Sequence, residues 1–427
     1  MEESSKFRKT ILGSIFSNFS REAATSIGQL ALTPLYISRF GTNDYAVWLL
    51  LMAYTSFVVL SDFGLSTAVI VKLQSVDQIV DVSKIKIWGH YKKFTFALAL
   101  GISTLVLCVT GLNFDMNEGS KLNHRSYLFL TILFIFLAFQ TLRQHNYLYR
   151  MQLLKIYNKG MQNLFYTRVL EILVLALGLY YKFTMIQLLI LNIAIRELLL
   201  YLSLKSMTSR LSTLTQVKGE IFQASLAQVV RPATGNGLFS MSVVLGIHGS
   251  FALASTWLSA TSLVILSLTR MLVSPIRILS GSLLQGSLPH FIRLETDTES
   301  RVTSNYFIKF IMVSAALIFC SALAILATSK LIWSFLSDES LNFSGTLVCL
   351  FMLSVAMDSV CAFRLQLPTI RNQSLRFGSI FFASTILSLM LQVFFSNQFD
   401  LLAVPLSIIV ADIIFLVCSL LLGRATK

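Results

Sequence analysis

The 427-residue chain is short of charge. Asp, Glu, Lys and Arg make up 13% of it, about half of the roughly 25% usual in soluble globular proteins. Cysteine is sparse too: Cys108, Cys320, Cys349, Cys361 and Cys418 all fall inside apolar runs. That placement excludes a disulfide framework and the paired spacing of a zinc site, and it leaves the thiols as small packing groups. The five histidines include no His-x-x-x-His pair, so neither a metal nor a cofactor is expected. Asp62-Phe63-Gly64 has the letters that hold magnesium in protein kinases, but the Gly-rich phosphate loop, strand lysine and catalytic loop are missing. No stretch is long and polar enough to be a soluble basic domain, so the net charge of +14 is no nucleic-acid footprint. A large hydrophilic loop is also missing, which argues against a membrane polysaccharide polymerase or ligase. The chain is not expected to be an enzyme.

Oil is abundant. Hydrophobic residues make up 55% of the chain, and its mean hydropathy is +0.73. Apolar runs of about 20 residues recur, the length that crosses a hydrocarbon core of about 30 Å. Lipid offers no hydrogen bonds, so such runs must be helices or a closed barrel. They are continuous rather than alternating, which selects an all-α polytopic membrane protein. Twelve spans are expected near 11–37, 44–71, 94–113, 126–148, 160–181, 184–204, 220–247, 251–276, 305–328, 344–368, 375–396 and 400–422. The leading "MEESSKFRKT" enters a span too long and polar for a cleaved signal peptide.

Twelve spans put both termini on one side of the phospholipid bilayer. Arg39, Lys121, Arg125, Lys182 and Lys330 fall in connections on the opposite side. The connections on the terminal side hold four times as many cations, among them Lys6, Lys84, Lys92, Lys155, Lys205, Arg293 and Arg371. Positive residues accumulate on the cytoplasmic face, so both termini are expected there, attracted to anionic headgroups. The connection 73–93 is expected to lie along that surface, anchored by Trp88.

The chain divides into two six-span lobes, 1–215 and 216–427, with similar layouts. A shift of about 208 residues places Gly41 on Gly249 and Asp62 on Arg270. Equal numbers of spans per lobe imply a pseudo-symmetry axis along the membrane normal. Two bundles around a central cavity are a transporter plan.

Residues 32–70, "LTPLYISRFGTNDYAVWLLLMAYTSFVVLSDFGLSTAVI", resemble the opening of polysaccharide-biosynthesis exporters. These are the Wzx-type O-antigen flippases of the multidrug/oligosaccharidyl-lipid/polysaccharide superfamily. Their pattern is met by Pro34, Phe40-Gly41, Tyr45-Ala46-Val47-Trp48 and Asp62-Phe63-Gly64-Leu65, with Ala46 in place of the usual glycine. The resemblance implies a flippase for undecaprenyl-diphosphate-linked oligosaccharide in a bacterial inner membrane. It further implies alternating access, proton or sodium coupling, and a polysaccharide polymerase and chain-length regulator as partners. A multidrug exporter of the same fold is the alternative.

Several charges fall inside spans. Arg21 and Arg231 each lie about eleven residues into the first span of a lobe. A charge there costs at least about 2.5–3.5 kcal/mol unless it meets water or a partner. Guanidinium forks onto phosphate, so Arg21 and Arg231 are expected on opposed cavity walls, with Arg270 as a third substrate contact. Asp62 is expected to latch the cavity by pairing with Arg270 or Arg364, or else to bond backbone near Gly64. Glu22 neutralises Arg21 or carries a coupling proton, a role open also to Asp62, Asp358 and Asp412. Arg143, Arg277, Lys309 and Arg364 are near enough to span ends to snorkel. Arg168 and Glu171 have the spacing of a local bridge, and Arg196 abuts Glu197. Tyr36, Tyr45, Trp48 and Tyr54 are candidates for stacking on sugar rings or for interfacial anchoring. Pro34, Pro232, Gly64, Gly235 and Gly237 are candidate hinges.

Overall fold

The computed structural model describes residues 2–62, 81–112, 122–153, 157–214, 226–297, 300–336, 341–370 and 374–425. Among them no strand occurs, and twelve long helices follow one another. The first six are α1 (Glu2–Phe40), α2 (Thr42–Val59, tightening into a 3₁₀ turn Leu60–Asp62), α3 (Asp81–Leu112), α4 (His124–Leu153), α5 (Tyr157–Tyr180) and α6 (Met185–Leu214). The second six are α7 (Leu226–Val244), α8 (Ala260–Asp297), α9 (Ser300–Leu336), α10 (Gly345–Ile370), α11 (Ser374–Phe399) and α12 (Ala403–Ala425). Nine stretches of the described residues are long and apolar enough to cross a membrane, the last, Ser374–Leu421, spanning both α11 and α12. This is a multi-pass membrane protein. The side holding Glu2 and Ala425 is called terminal below, and the opposite side distal.

Three local features depart from the sequence expectations. Helix α3 begins at Asp81, so residues 81–93 run without a break into the apolar stretch Thr95–Thr110 rather than forming a separate surface piece; Trp88's side chain and the connection before it lie outside the described residues. Gly249 is not a turn. Its φ of −65° is helical, and the chain passes from α7 through a π turn, Leu245–Gly249, into Ser250–Ala254. The break comes at 255–259 instead. Gly41 does turn the chain, with φ +82°, a conformation glycine adopts without steric cost. Helices α2 and α8 therefore start 218 residues apart, at Thr42 and Ala260. That register pairs Asp62 with Ser280 rather than with Arg270. The third departure is Gly235, which is a packing residue: a Cβ there would strike the backbone of Ser374 and Leu375, and one on Gly378 would strike the Gly235 carbonyl. Close approach of α7 and α11, as in small-residue contacts between membrane helices, is what this pair provides. Gly64 and the side chain of Pro232 lie outside the described residues.

Within the first six helices, α4 is central, packed on α2, α3, α5 and α6. Within the last six, α10 holds that place against α8, α9, α11 and α12, while α7 packs on α11. Helix α1 runs against α5 on one side and α8 on the other. Its contact with α8 is long: Gly286 fits beside the Ile15 backbone, Ser26 meets Ser274 with their hydroxyl oxygens 2.5 Å apart, and Thr33 reaches Met271.

The cores differ at the two ends. At the distal end one cluster joins Tyr36, Trp48, Phe134 and Leu188 of the first six helices to Val264, Leu268 and Trp333 of the last six. A second shared cluster joins Leu50 and Ala53 of α2 to Leu272, Ile276 and Leu283 of α8, with Ile15 of α1 packed against it; the clusters of Val58, Ala99 and Leu142 and of Cys361, Phe381 and Phe415, towards the terminal end, each stay within one bundle. The expected lobe boundary near 215 falls outside the described residues.

Candidate functional site: charged clusters and cavities between the spans

The first charged cluster is built on α5. Arg168 and Glu171, three residues apart, share a face and bond at 2.7 Å. Arg196 of α6 brings its Nε to 2.8 Å from the other Glu171 oxygen, and its Nη1 lies 3.4 Å from Thr141 Oγ1. One buried carboxylate thus holds two guanidiniums. Arg21 of α1 pairs with its neighbour Glu22. His145 of α4 sits in the field of Arg21, Glu22 and Arg168. Three arginines face two glutamates in this cluster, leaving one positive charge in excess.

Beside it, Arg143 of α4 pairs with Glu197 of α6. The sequence had set Arg196 against its neighbour Glu197. Each finds its partner on another helix instead: Arg196 on α5, Glu197 on α4.

A cavity of about 280 Å³ opens next to this pair, between α2, α3, α4 and α6. Phe96, Leu100, Phe136 and Phe139 make its apolar walls; Asp62, Gln140, Arg143, His145, Asn146 and Glu197 supply polar groups. Asp62, Arg143, His145 and Asn146 lie on the terminal side of their helices' midpoints, while Leu100, Phe136 and Glu197 lie slightly on the distal side.

The second charged cluster is in the other bundle. Arg277 of α8 lies 3.7 Å from Asp358 of α10. Asp412 of α12 feels the charges of both Asp358 and Arg277, and its carbonyl accepts a bond from Cys361 Sγ at 3.8 Å. Arg270, two turns before Arg277, stands over the Phe251 ring at 5.8 Å, a cation–π geometry. Arg270, Ser274 and Arg277 line a cavity of about 20 Å³, room for a single water. Ser274 is also the residue that meets Ser26 of α1.

Of the residues singled out by sequence, Arg21, Glu22, Arg270 and Asp358 lie in these clusters. Asp62 lines the larger cavity and Arg270 the smaller, so the structure does not bring that pair together. Arg364 is exposed, its Nη2 3.5 Å from the Ser419 carbonyl. Lys309 is exposed, as a snorkelling lysine is. Arg231 lies on α7, but its side chain is outside the described residues. Its place on α7 is about 35 Å from the end at Ala254, against about 29 Å for Arg21 from Phe40, at 1.5 Å per residue; the two are about a turn out of step. Tyr36, Tyr45 and Trp48 are buried; the Tyr36 ring stacks on Tyr45 with centroids 6.0 Å apart and lies tilted against Trp48 at 5.3 Å. They seal the distal core and present no face to a sugar. His145 and Gln140 escaped the sequence reading because they sit among other polar residues near the end of an apolar run, 140–146, where nothing in the spacing separates a buried group from an exposed one.

No protein-family model matches the sequence, and no curated protein does. Solved structures do match. An outward-facing multidrug resistance MATE family transporter of the MOP superfamily aligns over 98% of this chain and 96% of its own, with TM-score 0.70 at 10% identity. The fold is that of MATE transporters. The MATE multidrug transporter DinF-BH, solved as a complex, aligns over 98% of this chain and 95% of its own, with TM-score 0.70 and 12% identity. A MOP superfamily transporter from Pyrococcus furiosus, described as having a binding pocket of reverse polarity that suggests a different function, matches over 98% and 96%, with TM-score 0.70 and 13% identity.

Proposed function

We propose that the chain is a lipid-linked oligosaccharide flippase. It carries undecaprenyl-diphosphate-linked, O-antigen-type repeat units from the cytoplasmic to the periplasmic leaflet of a bacterial inner membrane. The observation that carries this reading is the surplus of guanidinium inside the spans: Arg168 and Arg196 on one Glu171, and Arg270 beside Arg277 in the other bundle. Guanidinium inside a membrane is costly unless it has a task, and its fork suits a diphosphate. The MATE fold supplies a transporter frame, and the motif between Pro34 and Leu65 supplies the saccharide association.

In this reading the lobes 1–215 and 216–427 move against each other, with both termini cytoplasmic. Arg21, Arg231 and Arg270 take the diphosphate. Asp62, Arg364, Glu22 and Asp358 gate the cavity or carry the coupling proton or sodium ion. A polysaccharide polymerase and chain-length regulator receive the product.

One observation favours a second reading, export of cationic drugs. The larger cavity pairs aromatic walls with Asp62 and Glu197, a lining suited to an aromatic cation, and the structural neighbours include multidrug transporters. A deletion strain separates the two. The flippase reading expects undecaprenyl-linked repeat units to accumulate inside the cell, with no change in the efflux of a cationic dye. Normal surface polysaccharide together with slower dye efflux would support the drug exporter instead.

A further inference from the structure

The larger cavity is walled by charges of both signs. Arg143 and Glu197 pair with each other on its lining, and Asp62 and His145 are the other charged or titratable groups named there apart from Tyr149. With the His145 imidazole neutral, these four residues carry one net negative charge; with it protonated, they carry none. The lining therefore has no positive surplus, unlike the guanidinium clusters. Gln140 also lines the cavity but is 1% exposed; its Nε2 donates to the Ile193 carbonyl at 2.9 Å, and its Oε1 has no hydrogen-bond partner. It is a buried part of the wall.

The Arg143–Glu197 pair faces the bilayer. The two side chains are 46% and 32% exposed. His145 lies in the field of Arg21 and Glu22 of α1, the helix that packs on the other bundle. Arg143, two residues earlier, stands about 200° away round α4 and so looks away from that bundle. Phe136, two turns distal of Arg143, is exposed, as are Phe96 and Leu100 of α3, and all three line the cavity. On spanning helices such side chains meet lipid tails. The span His124–Tyr149 is about 39 Å long, against a hydrocarbon core of about 30 Å. With that span centred on the core, Arg143 lies within about 5 Å of the headgroup boundary on the terminal side.

A headgroup with one phosphate and one primary ammonium suits these groups. Guanidinium forks onto phosphate, and an ammonium has three N–H donors for carboxylates. Inserted between Arg143 and Glu197, such a zwitterion gives each side chain a new opposite charge for the one it yields. An anionic headgroup would leave both carboxylates facing its phosphate. Choline carries the right charge but no N–H to donate. A volume of about 280 Å³, just under the roughly 300 Å³ at which ligand pockets begin, takes a headgroup and leaves the acyl chains outside.

We propose that this cavity binds the headgroup of a phosphatidylethanolamine-type lipid of the terminal leaflet. The phosphate accepts from Arg143 and the ammonium donates to Glu197, with Asp62 adding negative potential that favours the ammonium. The acyl chains lie along Phe96, Leu100 and Phe136. The site serves one bundle's bilayer face and does not depend on which cargo the protein carries.

The test is native mass spectrometry of the full chain released from nanodiscs made of dioleoyl phosphatidylethanolamine, phosphatidylcholine and phosphatidylglycerol in equal parts. The wild type is expected to retain phosphatidylethanolamine at least about threefold over either other lipid, a factor within the reach of one partly exposed ion pair. R143M/E197L removes both charges and leaves neither unpaired; the excess should vanish in it and shrink in E197Q. K309Q, at an exposed lysine of the other bundle, should leave the excess unchanged. Where the double variant elutes as aggregate, E197Q carries the test. An excess that survives in the folded variants overturns the proposal, as does one lost equally in K309Q. A wild-type preference for phosphatidylglycerol would mark an anion site, and parity among the three would mark ordinary annular lipid; either result overturns it. Retention of tetraphenylphosphonium in place of the lipid, abolished by E197Q, would mark a cation pocket and overturn it too.

Discussion

Ser26 and Ser274 touch across the two bundles, their hydroxyl oxygens 2.5 Å apart. Among the described residues, helices α1 and α8 meet nowhere more closely through polar groups, and alternating access requires such contacts to part or pivot. With the native cysteines replaced, S26C/S274C is expected to form a disulfide on mild oxidation, since two side chains this close meet the reach of the bond. Transport should stop on oxidation and return with reductant. Full transport by the quantitatively cross-linked protein would show that α1 and α8 stay together throughout the cycle.

Glu171 compensates two guanidiniums at once. E171Q leaves Arg168 and Arg196 without their carboxylate, and breaking a buried pair typically costs about 3–5 kcal/mol. A lower thermal midpoint and a smaller folded fraction in detergent are expected. Removing charge on both sides, E171L with R196M, should recover part of the loss, because contacting residues are not additive. A double variant whose loss equals the sum of E171L and R196M measured singly would deny the coupling.

Gly286 lets α1 lie against α8. A Cβ at this position would stand 2.7 Å from Ile15 Cα, closer than real contacts allow. G286V is expected to wedge the helices apart, reducing both stability and transport. Gly281, one and a half turns earlier on the same helix, has nothing within 4 Å of its Cβ position. G281A should therefore be silent in thermal unfolding and export, which separates packing at Gly286 from a general intolerance of α8.

Arg270 tests the anionic cargo. R270K keeps the positive charge but loses the planar fork, and R270M loses both. If a diphosphate is held by two parallel bonds, export should fall by at least about tenfold in R270M and by an intermediate amount in R270K, at matched membrane levels. Equal, near-normal export in both variants would assign Arg270 to packing over Phe251.

Much of the architecture was legible from apolar runs alone. Twelve runs became twelve helices, because in lipid a long apolar segment has no other way to satisfy its backbone. The turns were less legible. Gly41 and Gly249 look alike as letters, yet only Gly41 adopts positive φ. Reading them as equivalent moved the repeat register by ten residues and set Asp62 falsely against Arg270. At the charged clusters the local pair Arg168–Glu171 was readable from its spacing. The ion pairs of Arg196 with Glu171 and of Arg143 with Glu197 were not, since they depend on which helices lie side by side. Gln140 was invisible for the same reason: its unmet oxygen is a property of the neighbours that surround it.

The shared distal core has an energetic consequence. Trp333, Val264 and Leu268 belong to the same apolar mass as Trp48 and Phe134. Pulling the bundles apart on that side would wet this surface at about 25 cal/mol for each Å² exposed, whereas nearer the terminal end the clusters of Val58 and of Cys361 lie within single bundles and the join is the contact of α1 with α8 at Ile15 and Gly286. The unloaded molecule should therefore rest with its far rim shut, and whatever drives the cycle must do most of its work in prying that rim open.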